Sequence, residues 1–167
     1  MSPRSPILHL LCGKIASGKT SLASRLGGQP ETVVIAEDDW LQALFADRMA
    51  SISDYVRCAE KLRAVMGPHT VSLLKAGVSV VLDFPANTPE TRNWMRDIVA
   101  QTTAAHKLHV LDVPDQVCMA RLRARNAQGD HPFAVTEAQF RQISRHFRPP
   151  SAEEGFNIVM HGETTRP

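Results

Sequence analysis

The stretch GKIASGKT, Gly13 to Thr20, constrains this chain more than any other part of it. It matches G-x-x-x-x-G-K-[ST], follows an apolar run (ILHLLC) and opens a helical pattern (SLASRL) that Gly27-Gly28 stops. A phosphate chain needs backbone N–H groups converging on it, so the loop must turn tightly, and Gly13 and Gly18 give it that freedom. The N-terminus of the following helix adds its dipole. Gly13, Ala16, Ser17, Gly18, Lys19, Thr20 and Ser21 are the nucleotide contacts this predicts. Lys19 would reach the β- and γ-phosphates, and Thr20 would offer its hydroxyl to Mg²⁺. ATP and Mg²⁺ are the implied cofactors.

Around this loop, strand-like and helix-like segments alternate along the whole chain. Ile7–Cys12, Val33–Ala36, Val78–Asp83, Leu108–Val113 and Phe156–His161 are short and rich in Val, Ile and Leu, as buried parallel strands are. Thr88-Pro89 is a cap and first-turn pair, with Trp94, Ile98 and Ala105 expected on one face. Thr136 to Gln139 is a capping box, followed by Phe140, Ile143 and Phe147 at core spacing. Tyr55, Ala59, Leu62 and Met66 form another stripe, expected to break at Gly67-Pro68, where a second short helix would begin. The pattern predicts an α/β fold of the P-loop NTPase type: a five-stranded parallel sheet, helices on both faces and a short lid. Residues 1–6, with Pro3 and Pro6, read as a loose tail before a single domain at 7–167.

The 167 residues suffice for one well-filled core, and 43% apolar with 22% charged residues is ordinary for a globular protein. The net charge of +2 makes no case for nucleic acid or a membrane surface. No run is long enough for a membrane span or a leader. Three distant cysteines fit buried thiols in a reducing cytoplasm. The seven histidines lack metal-ligand spacing and read as surface or packing residues.

Two acidic positions extend the phosphate site. VSVVLDF carries Asp83 near the end of an apolar strand, where a carboxylate beside the loop would hold Mg²⁺ directly or through water. The second strand runs into Glu37-Asp38-Asp39-Trp40, beyond a strand's carboxyl end, where ligands of open α/β sheets bind. A carboxylate there can take the proton of an attacking hydroxyl. Asp38 and Asp39 are both candidates, and either could instead cap the helix WLQALFADR; Asp38 is the favoured base.

GKIASGKT, EDDWL, VVLDFPANT, CMARLRARN, GDHPF and PPSAEEGF, in this order, resemble the small P-loop kinases of the AAA_33/zeta-toxin-like group. That group is itself similar to chloramphenicol phosphotransferase, gluconate kinase and the kinase domain of polynucleotide kinase. The resemblance covers nearly the whole chain and implies an ATP- and Mg²⁺-dependent O-phosphotransferase. It places the base on Asp38 and the strand-end acid on Asp83, with Asn87 and Arg92 just after it. Asp38, Asp39, Trp40, Asp83, Asn87 and Arg92 become the implied substrate residues. The lid arginines fall on Arg121 and Arg125, which share a helix face, and the stretch Ala127 to Val135 suits a mobile lid. Polynucleotide kinase-like members carry an arginine three residues after the base, to hold an acceptor phosphate. Here that position is Leu41.

Charge is unevenly spread. Glu31 to Glu60 carries −5, and Arg121 to Arg148 carries +4. An acceptor bound on the acidic side would be cationic or neutral. The leading expectation is therefore a small-molecule kinase acting on an amine-bearing antibiotic such as an aminoglycoside. A neutral sugar or alcohol comes next; a 5′-hydroxyl polynucleotide kinase, a nucleotide-sugar kinase and a regulatory NTPase are alternatives. The oligomeric state is not readable from the sequence.

Overall fold

The computed structural model describes residues 4–129 and 134–162. Five strands, β1 (Ile7–Cys12), β2 (Thr32–Ala36), β3 (Ser79–Pro85), β4 (Ala105–Leu111) and β5 (Ile158–His161), form one parallel sheet in the order β2-β3-β1-β4-β5. The helices are α1 (Lys19–Gly27), α2 (Glu37–Phe45), α3 (Ile52–Lys75), α4 (Pro89–Ala100), α5 (Asp115–Gln128) and α6 (Glu137–Ser144). Parallel strands need crossovers, and the helices supply them on both faces.

On one face the main core joins Leu8, Leu10, Val80, Leu82 and Leu108 of the strands to Leu62, Met66 and Leu74 of α3 and Met95 and Ile98 of α4. On the other, Leu22 and Ala23 of α1 pack on Leu11 and Val81. A third cluster joins Cys118 and Leu122 of α5 to Phe140 of α6, with Ile15 and Ala16 of the loop against it. The helix carrying the arginines is thus packed onto the phosphate loop itself. Among the described residues, no helix is long and apolar enough to cross a membrane, and Cys12, Cys58 and Cys118 are buried free thiols.

Both predicted caps form. Thr88 accepts from the Thr91 N–H, and Thr136 makes a reciprocal capping box with Gln139. Three expectations need correcting. Helix α3 does not break at Gly67-Pro68 but runs through to Lys75. Pro68 removes one N–H donor, at a cost of about 3 kcal/mol, but Met66, Val71 and Leu74 keep the apolar stripe buried on both sides of it. Gly67 faces Trp94 of α4, and a Cβ there would stand 3.0 Å from the indole nitrogen, so these helices approach closely only because the position is glycine. Ala105 belongs to β4 rather than to the α4 stripe. Helix α6 ends at Ser144, leaving Ile143 exposed and sending Phe147 to the main core. The expected lid includes residues 130–133, which lie outside the described residues, as does most of GDHPF.

Strand β4 begins three residues earlier than its apolar run because its polar residues are accommodated in the sheet. His9 of β1, His109 of β4 and His161 of β5 form a hydrogen-bonded row. His9 Nδ1 lies 3.0 Å from His109 Nε2, and His109 Nδ1 lies 2.9 Å from His161 Nε2. A neutral imidazole has one donor and one acceptor nitrogen, so the tautomer of one ring dictates those of the other two.

Candidate active site

The phosphate loop leaves β1 at Gly13 and enters α1 at Lys19. Its shape depends on two glycines: a Cβ on Gly13 would stand 2.4 Å from Ser17 Oγ, and Gly18 has φ of 106°. Ala16, at φ 62°, holds a left-handed conformation that costs a non-glycine residue energy. Lys19 Nζ donates to the carbonyls of Gly13 and Lys14, the latter at 3.0 Å. Burial pulls the Lys19 pKa down, opposed chiefly by the charge of Asp83 and more weakly by that of Asp38. Ser17 is 4% exposed, and its Oγ has no protein hydrogen-bond partner. A buried hydroxyl without a partner, inside a turn that only glycine permits, fits a loop built to close on phosphate oxygens.

Asp83 is carried to this loop by a break in the sheet. Leu10 pairs with Leu82, but Leu11 pairs with Pro85, so Asp83 and Phe84 bulge out of register with β1. Bulges re-aim side chains and concentrate at functional sites. Phe84 turns into the main core, and Asp83 stays opposite Ala36 of β2. Asp83 then lines an open groove with Thr20 and Ser24 of α1 and Asp39 of α2. Its pKa is raised, first by burial, with Asp38 and Asp39 adding to the rise and Lys19 opposing it. Thr20 and Asp83 can together hold Mg²⁺. That ion keeps most of its ligands as water and phosphate, so two protein donors suffice. Among the described residues, no group of three His, Cys, Asp or Glu is arranged as a complete cage.

The acid cluster divides by direction. Helix α2 begins at Glu37, so Glu37, Asp38 and Asp39 form its first turn, where the dipole favours negative charge. Asp39 faces the Thr20–Asp83 groove. Asp38 acts electrostatically on Lys19, Asp83 and, from α5, Arg125. The helix-capping alternative does not hold: the cap residue is Ala36, and no side chain caps the turn. Trp40 is 42% exposed. Leu41 is 0% exposed and belongs to the main core.

Arg121 Nη1 reaches the carbonyls of Ala16 and Ser17 at 3.4 and 3.3 Å, directly beside the loop. The Arg125 Nε is buried without a partner, and burial lowers the pKa of its guanidinium against the pull of Asp38. Arg121 thus lies against the loop, and Arg125 lies within electrostatic reach of Asp38. Arg123 points away and pairs with Glu137 of α6.

The structure places two of the expected substrate residues elsewhere. Asn87 holds the start of the loop: its Oδ1 accepts from the Gly13 N–H at 2.9 Å, and its Nδ2 donates to the Gly13 carbonyl at 2.8 Å. Arg92 is 1% exposed and donates to Glu154 at 2.7 Å and to the carbonyls of Ala86 and Arg148 at 3.0 and 2.7 Å. With those acceptors, Arg92 fastens the PPSAEEGF segment to α4 and is sealed from solvent. Sequence reasoning also missed Glu37 as a buried group. The Tyr55 hydroxyl of α3 donates to it, and burial raises its pKa to about 7. The only signal was the position of Tyr55 on the apolar face of α3.

The loop, the bulged strand-end acid and the parallel order β2-β3-β1-β4-β5 define a P-loop nucleotide-binding fold. The chain belongs to the AAA_33 family, whose model, described as an AAA domain, matches residues 8–150. A search of curated protein sequences finds no match. The fold is shared with a candidate kinase from Chloroflexus aurantiacus (TM-score 0.77, 18% identity, 97% of this chain and 90% of that one). It is shared also with Kti12 of Chaetomium thermophilum bound to ADP-AlF3 (TM-score 0.69, 13% identity, 96% and 91%). The APS kinase of Mycobacterium tuberculosis, in complex with AMPPNP and APS, is a third (TM-score 0.64, 20% identity, 99% and 92%).

Proposed function

We propose that this protein transfers the γ-phosphate of Mg-ATP to a hydroxyl of a small molecule that carries no phosphate of its own. The observation that carries the reading is the phosphate loop itself, where a Cβ on Gly13 would strike Ser17, the buried Ser17 hydroxyl has no protein partner, and Arg121 lies against the carbonyls of Ala16 and Ser17. Lys19 and the loop N–H groups bind the nucleotide's phosphates. Asp38 accepts the proton of the acceptor hydroxyl and orients it for in-line attack. Arg121 and Arg125 stabilise the charge on the transferring group. Mg²⁺, held through Thr20 and Asp83, neutralises phosphate charge when bound.

Two features support a cationic or neutral acceptor. Leu41, at the position where an arginine would hold an acceptor phosphate, is sealed in the core. The turn bearing Asp38 and Asp39 also presents exposed negative charge. An amine-bearing sugar such as an aminoglycoside satisfies both, and antibiotic inactivation is the activity we would look for first.

Incubation with Mg-ATP and a panel of aminoglycosides, neutral sugars, nucleotide sugars and 5′-hydroxyl oligonucleotides, read by mass spectrometry for one added phosphate, tests the reading. Lys19→Ala serves as the inactive control. Product from an amine-bearing or neutral acceptor is expected. Product only from the anionic acceptors would overturn the acceptor class and leave the kinase assignment standing.

A further inference from the structure

Glu37 is a buried carboxyl one residue before Asp38, and the chemistry above gives it no task. It is 2% exposed, and the Tyr55 hydroxyl donates to its Oε1 from the neighbouring helix. The charged and titratable groups acting on it are Tyr55, Asp38, Arg63 and Asp83. One turn further on, Leu41 is sunk in the core. Glu37 and Leu41 are an i, i+4 pair, so they lie on one face of α2 and anchor it at two points. The cap residue Ala36 makes no side-chain bond to the helix start, and the Glu37–Tyr55 contact is a buried polar tie of the first turn.

Asp38 lies about 100° around the helix from Glu37. Its direction therefore depends on the rotation of α2 about its own axis. A side-chain oxygen about 6 Å from that axis moves by about 2 Å when the helix turns by about 20°. A misplacement of about 1 Å can cost a reaction about 100-fold. We propose that Glu37 is a positioning residue: tied to Tyr55, it locks the rotation of α2 so that Asp38 points at the transferring phosphate. This rests on the phosphotransferase reading with Asp38 as base.

The test uses three full-length variants: Tyr55→Phe, Glu37→Ala, and Glu37→Gln, which keeps an acceptor oxygen for Tyr55. All are compared at a temperature where circular dichroism shows them folded. Tyr55→Phe and Glu37→Ala are expected to lower kcat about tenfold with the KM for ATP within about twofold, whereas Glu37→Gln keeps most of the rate. A double Glu37→Ala/Tyr55→Phe variant should be no worse than the weaker single one, because the two residues act as a unit.

A second readout needs no turnover. The amides of Trp40 and Leu41 close the first turn of α2, and in Tyr55→Phe they should exchange about tenfold faster while those of α4 are unchanged. Wild-type exchange at Trp40 and Leu41 in Tyr55→Phe, with an active wild-type enzyme, overturns the positioning role and leaves the kinase reading intact. Equal losses in Glu37→Gln and Glu37→Ala overturn it too. A wild-type protein that phosphorylates no acceptor refutes the kinase reading itself, and Asp38 then has nothing to be aimed at.

Discussion

Asn87 grips the Gly13 peptide from both sides, accepting its N–H and donating to its carbonyl. A residue two positions beyond β3 thereby sets where the phosphate loop starts, although the two are 74 positions apart in sequence. Two hydrogen bonds at about 1 kcal/mol each are at stake. Asn87→Ala should raise the KM for ATP about tenfold, with a smaller effect on kcat. Isothermal titration with a non-hydrolysable ATP analogue checks this directly. Unchanged nucleotide affinity would mean the loop holds its shape alone.

Asp38 and Asp39 should separate by kinetic signature. Asp38→Asn removes the proposed base and should cut kcat by about 10²–10⁴ with nucleotide binding preserved. Asp39 faces Thr20 and Asp83, so Asp39→Asn should weaken the Mg²⁺ dependence and spare most of the rate at saturating metal. Steady-state rates across a Mg²⁺ titration decide it. The reverse pattern would exchange the two roles.

Arg92→Ala should destabilise by about 3–5 kcal/mol, because it leaves a part-buried carboxylate and several carbonyls without a donor. Glu154, its ion-pair partner, is held below its ordinary pKa mainly by hydrogen bonding to Arg92, against the effect of burial. Thermal unfolding measures the loss, and Arg92→Lys should recover only part of it, since a lysine cannot span the same acceptors. The acceptor KM of the folded variant should not change. A selective rise in acceptor KM would return Arg92 to the substrate site.

Acid should unfold the protein through its histidine row. Burial lowers the pKa of His9 and His161 and takes that of His109 to about 4, with Lys107 adding to His9 and His109 and Arg25 to His161. Between about 6.5 and 4 the unfolded chain binds more protons than the folded one, so stability is full above that window and falls as pH drops through it. Glu37 works in the opposite sense. Its folded pKa of about 7 means the folded state binds the extra proton, so its contribution is full below about 4.5 and is lost as pH rises through 7. Glu37→Gln should therefore lose melting temperature more steeply than wild type between pH 7 and 5. His109→Gln should flatten that slope. Melting curves across this range, at constant ionic strength, give both signs.

What the sequence revealed and what it hid follow from the range of the interactions. The phosphate loop, the Thr88 and Thr136 caps and the parallel sheet are written in neighbouring residues, because backbone geometry and hydrophobic periodicity are local. The ion pair of Arg92 is not legible because its partner is 62 residues away, and an arginine beside a strand-end acid looks the same in sequence whether it faces substrate or Glu154. The histidines were legible as packing residues, but not as a row, since only strand order brings β1, β4 and β5 together. Pro68 carries the local signal of a break, and the burial of α3 that overrides it is not local. Asp38 and Asp39 are neighbours in one helical turn, and nothing local in the sequence says that Asp39 lines the groove with Thr20 and Asp83.

The burial of Leu41 also bears on how such an enzyme could change its diet. An arginine at this position would have to drive a cation into a packed interior, at a cost of several kcal/mol, before it could greet any new acceptor. The obstacle to a new cation at this position is thus in the foundations of the molecule. A positive charge added to α2 would have to begin from a solvent-facing position such as Gln42, where it costs the packing of the helix nothing.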